Sequence, residues 1–95
     1  MTTIDLLQYP ETEAYRATLQ TYEDAHARHA RMIAQRASEA VVLAALEEVH
    51  TAGRRSKAAK WALKDKLKER YNCEAVNAAI HDFEMRFKPE ADNVI

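Results

Sequence analysis

Glycine and cysteine each occur once in this 95-residue chain, and proline only twice. All-β folds need turn residues every 8–12 positions or so, so a sequence this poor in them is not one of that class. With Gly53 as the only glycine, neither a glycine-rich phosphate loop nor a glycine-flanked nucleophile elbow can be built. Cys73 has no partner for an intrachain disulfide, which favours a reducing compartment and a cytoplasmic setting. No apolar run approaches the ~18 residues of a membrane span. The opening MTTIDLLQYPE has an early acid and no basic segment, which speaks against a secretion signal. Net charge is nearly balanced, at −1, which argues against a general nucleic-acid coat protein.

What the chain does have is alanine and alternating charge. Its apolar share is 47%, but alanine supplies much of it, so the bulky core is lean. Helices that pack closely through alanine faces, or subunits that share a core, both fit. The expected fold class is all-α: one domain over 1–95, a small bundle of about four helices at 11–36, 39–52, 56–71 and 74–87. Residues 1–9 and 89–95 read as short tails, with Ile4, Leu6, Leu7 and the Val94–Ile95 end apolar enough to dock.

Pro10 suits a first helical position, with Glu11 and Glu13 in the favourable first turn. Between Glu11 and Ala52 there is neither glycine nor proline. As one continuous helix, this stretch would extend about 63 Å, roughly twice the width of a compact domain of this size. The pattern changes near Ser38. Before it, Tyr15, Leu19, Tyr22, His26, His29 and Ile33 form a narrow stripe. After it, Val41, Val42, Leu43, Ala45, Leu46 and Val49 spread over half the circumference, which predicts the most buried helix. Tyr15, Leu19, Tyr22, Ile33, Val42, Leu46 and Val49 are the expected contacts of a homo-oligomer, most simply a dimer. Gly53 reads as the end of this run. Asn72 reads as the cap of a last helix whose apolar edge is Val76, Ala79, Ile80, Phe83 and Phe87.

The third segment, GRRSKAAKWALKDKLKERY, concentrates positive charge. From Arg54 to Arg70, eight basic residues stand against Asp65 and Glu69. If a helix begins at Ser56, Arg54, Arg55, Lys57 and Lys60 crowd its N-terminal end, where cations are disfavoured and an anion would be welcome. At 100° per residue, Lys57, Lys60, Trp61, Lys64, Lys68 and Tyr71 share a sector about 100° wide, beside the apolar edge of Ala59, Leu63 and Leu67. Cations neutralise phosphates and an aromatic can stack on a base. Arg54, Arg55, Ser56, Lys57, Lys60, Trp61, Lys64, Lys68 and Tyr71 are therefore the expected contacts to nucleic acid or to an acidic protein surface. The bland alternative is a solvated basic face with Trp61 tucked under lysine stems. The last helix exposes Asn77, His81, Asp82 and Glu84 on this reading, which offers little for reading bases.

Two further chemistries are weaker. Glu23 with His26, and Glu47 with His50, have the i, i+3 spacing of metal-ligand pairs in helical bundles. Their polar surroundings suit solvated contacts better, and no metal or other cofactor is expected. Ser38, Ser56 and Cys73 lack the neighbours of an activated nucleophile, and Glu74 opposes a thiolate at Cys73. The expectation is a non-enzymatic binding protein acting on nucleic acid or within a nucleic-acid-handling complex. A protein–protein adaptor, inhibitor or assembly subunit is the alternative from another class, and a metal-binding bundle the weakest.

Overall fold

The computed structural model describes residues 4–89 and is helical, with no strand among them. A 3₁₀ turn, Leu6–Gln8, leads into α1 (Pro10–Ala34), α2 (Glu39–Lys68) and α3 (Cys73–Arg86). Residues 1–3 of the N-terminal tail, and 90–95 with their apolar Val94–Ile95 end, lie outside the described range. None of the helices is long and apolar enough to cross a membrane.

Three helices replace the expected four, because Gly53 does not end one. It lies inside α2, without a positive φ. A single internal glycine costs about 1 kcal/mol relative to alanine, and the good helix formers that follow it carry the helix on. A Cβ at this position would meet Tyr22 Cε2 at 3.3 Å. The missing side chain lets the Tyr22 ring of α1 lie against the α2 backbone.

The break falls instead between α1 and α2, which rules out one continuous helix over 11–52. Arg36 takes a left-handed conformation, φ 55°. Its N–H donates to the Ile33 carbonyl at 3.0 Å and that of Ala37 to the Met32 carbonyl at 3.0 Å. This is the Schellman pattern, which closes the last carbonyls of a helix and turns the chain. Ser38 then caps α2, accepting from the Val41 N–H at 3.4 Å. At the third junction, Asn72 accepts from the Ala75 N–H at 2.8 Å and starts α3 as expected.

Helices α1 and α2 form a long antiparallel hairpin. The 3₁₀ turn and α3 pack only at the end where α1 begins and α2 finishes. That root holds the main core: Tyr15, Leu63, Leu67, Val76 and Ile80, ringed by Ile4, Leu6, Tyr9, Leu19, Ala59, Tyr71 and Phe83. Toward the hairpin tip, a smaller cluster of Ala25, Val49 and Ala52 packs with Tyr22. The segment 39–52 is therefore not the most buried part of the chain. Among the described residues only α1 covers it, and Leu43 remains 55% exposed, whereas Leu63 and Leu67 are fully buried under α3. The molecule is elongated, 52 × 25 × 19 Å with a radius of gyration of 16.1 Å, against about 12 Å for a compact chain of this length.

Candidate nucleic-acid interface

Because α2 begins at Glu39, Arg54, Arg55, Lys57 and Lys60 lie in mid-helix, where backbone N–H groups are already paired. No anion site at a helix N-terminus exists there, and half-buried Ser56 caps nothing. The basic run instead carries α2 to its C-terminal end, with Lys66 and Lys68 in the last turn. Cations are stabilising at that end of a helix.

The nine predicted contacts separate into distinct environments. Trp61 is 50% exposed, with Lys64 Nζ 5.1 Å and Lys68 Nζ 5.6 Å from its ring centroid. Steps of three and seven residues place both ammonium groups over one indole, each contact worth about 0.5–1 kcal/mol at an exposed site. The lysines thus lie on an outward-facing ring and do not press it into the core. Lys57 is exposed one turn earlier.

The other residues are occupied or face elsewhere. Arg54 donates to Thr51 Oγ1 at 3.2 Å and pairs with Glu47 at 3.7 Å. Arg55 turns to the opposite side of the hairpin, into a groove with Asp24, Arg28 and Glu48. There Arg28 and Glu48 form an ion pair. Tyr71 packs on the main core.

Lys60 belongs to a polar cluster that the sequence reading missed. Its Nζ donates to Glu84 Oε2 at 3.1 Å and Oε1 at 3.3 Å, and the Tyr15 hydroxyl donates to Oε2 at 2.6 Å. Glu84 is half-buried, not one of the exposed polar residues of α3. Burial alone would raise its pKa, but the hydrogen bonds from Tyr15 and Lys60, and the positive charges of Lys60 and His81, hold it below the usual carboxylate value. Burial, followed by the hydrogen bond and charge of Glu84, pushes the Tyr15 hydroxyl above the ordinary phenol range. One signal was legible: Glu84 follows Ile80 by four residues and precedes Phe87 by three, on the flank of the apolar edge.

The residues expected at an oligomer contact also divide. Tyr15 and Val49 are buried within the chain, and Leu19 packs against the main core. Tyr22, Val42 and Leu46 are partly exposed along the hairpin, and Ile33 is 54% exposed near its tip. Of the weak metal ligands, His26 stands edge-on to Tyr22 at 4.6 Å and Glu47 pairs with Arg54. Among the described residues, no three His, Cys, Asp or Glu side chains come together as a metal set. Compared with known proteins, the chain matches no protein-family model, no curated protein and no solved structure.

Proposed function

We propose that this chain is a non-enzymatic, cytoplasmic binding protein that holds nucleic acid through Trp61, Lys64 and Lys68. One observation carries the reading: a half-exposed indole has two ammonium groups over its ring. A folding core needs no exposed tryptophan, whereas a single strand offers both a base to stack and phosphates to neutralise. Stacking on an aromatic is worth about 1–3 kcal/mol per base. A row of carboxylates on a protein would satisfy the lysines but leave the indole without its natural partner. The same reading has the chain act as a homo-oligomer, with a dimer favoured.

The test is fluorescence anisotropy with labelled single-stranded and duplex oligonucleotides over a salt series. Binding to the single strand should weaken with added salt, with a shallow slope set by two or three released counterions. Lys64→Glu with Lys68→Glu should abolish it. No binding at low salt, or binding indifferent to those substitutions, contradicts the proposal. Capture by an acidic peptide but by no oligonucleotide would favour the protein-partner reading.

A further inference from the structure

Six residues of α2 recur at alternating steps of four and three: Glu39, Leu43, Leu46, His50, Gly53 and Lys57. At 100° per residue they share a sector about 80° wide, turned roughly 110° from the side that α1 covers. Glu39, His50 and Lys57 are exposed, Leu43 is 55% exposed, and Leu46 and Gly53 are partly so. The 4–3 spacing is the seam of a coiled coil. Among the described residues no helix runs along this seam, because α3 stays at the root; the Tyr22 ring of α1 reaches it at Gly53.

We infer that two copies of this chain pair through this seam, α2 against α2 in antiparallel orientation, with the two-fold axis opposite position 48. Self-association is part of the reading above; the orientation, register and contact residues are new. Charge fixes the orientation. A parallel pair would set Glu39 against Glu39 and Lys57 against Lys57. In the antiparallel pair Glu39 meets Lys57 of the second copy, and symmetry repeats the contact at the other end. The same charge pair fixes the register, since this alignment sets Glu39 opposite Lys57 at both ends. Leu43, the most exposed leucine of the seam, then faces the patch where the Tyr22 ring lies against Gly53 of the second copy, an apolar contact, and Leu46 faces His50. Sliding one heptad toward the tip would match Leu43 with Leu46, but it shortens the overlap to 39–50 and leaves Lys57 unpaired. The proposed register spans about 27 Å of helix. Lys57 then belongs to the contact between copies. Trp61, Lys64 and Lys68 stay outside it, at opposite ends of the pair.

Sedimentation equilibrium at low ionic strength tests this on the full chain. The unchanged protein should weigh two chains. Glu39→Lys and Lys57→Glu should each raise the dimer dissociation constant on the order of tenfold, because each turns two attractions into two repulsions. Combined in one chain, they should restore it to within about threefold. Leu43→Glu, an exposed change that circular dichroism should show to be folded, should give single chains. A dimer that either single reversal leaves intact, or that the double reversal does not restore, overturns the register while leaving self-association standing. A dimer that persists in Leu43→Glu also overturns it. A monomer at the highest attainable concentration overturns the self-association reading as well, and neither result bears on Lys64→Glu in the oligonucleotide assay.

Discussion

The Tyr15 hydroxyl donates to Glu84 Oε2 at 2.6 Å across 69 positions of sequence, joining the first turns of α1 to the end of α3. Lys60 of α2 reaches the same carboxylate at 3.1 Å, so one group ties all three helices at the root. The Tyr15 ring is buried and stands 5.8 Å from Phe83. Tyr15→Phe keeps that packing and removes only the donor. It should lower stability by about 1.5–3 kcal/mol, the range for a hydrogen bond to a charged group, read as an earlier midpoint in urea.

The same carboxylate sets an acid limit. Glu84 titrates below its ordinary value of 4.5, so the unfolded chain binds its proton more readily than the folded one. Its contribution is complete above that value and is lost as pH falls through the lower folded one. Glu84→Gln should therefore flatten the loss of stability below about pH 4.5. Tyr15 acts in the opposite direction. Its folded value lies above the ordinary 10.0, so its contribution holds below that pH and is lost as pH climbs past it. Melting curves across both limbs, for wild type and Glu84→Gln, check the two signs.

Arg36 occupies a backbone conformation, φ 55°, that side chains with a Cβ adopt at a cost of roughly 1 kcal/mol. Glycine adopts it freely and is the usual residue at this position of the Schellman pattern. Arg36→Gly should stabilise the hairpin by about 0.5 kcal/mol once glycine's greater unfolded freedom is subtracted. A midpoint that moves down would show that the arginine side chain contributes something beyond its backbone.

Gly53→Ala sets helix propensity against one contact. Alanine gains about 1 kcal/mol in a helix interior, while its Cβ comes 3.3 Å from a Tyr22 ring that is only partly buried and can yield. The monomer should become slightly more stable, by under about 1 kcal/mol. Thermal melting of the variant decides the sign.

Glycine and arginine also explain why the fold was only partly legible. The helical class, the Pro10 start, the Asn72 cap and the apolar edges of Leu63–Leu67 and Val76–Ile80 follow from local pattern and capping chemistry. The two interior boundaries do not. A turn needs a backbone that bends, and Arg36 bends without the residue type that announces it. Gly53 announces a bend and stays helical because the packed α1 face and the helix formers after it outweigh its propensity. Of the candidate interface, the shared sector of Trp61, Lys64 and Lys68 was readable from spacing alone. The withdrawal of Lys60 was not, since it depends on Glu84 arriving from another helix.

Trp61 is the chain's single tryptophan, so its fluorescence reports directly on the proposed interface. Titrating the protein with a single-stranded oligonucleotide at low salt, while following that emission, tests the central claim most directly. Stacking of a base on the indole should quench it saturably, and salt should reverse the effect. Lys64→Glu with Lys68→Glu should leave the emission unresponsive. An emission that stays constant for the unchanged protein, or that is quenched equally with both lysines reversed, contradicts the account.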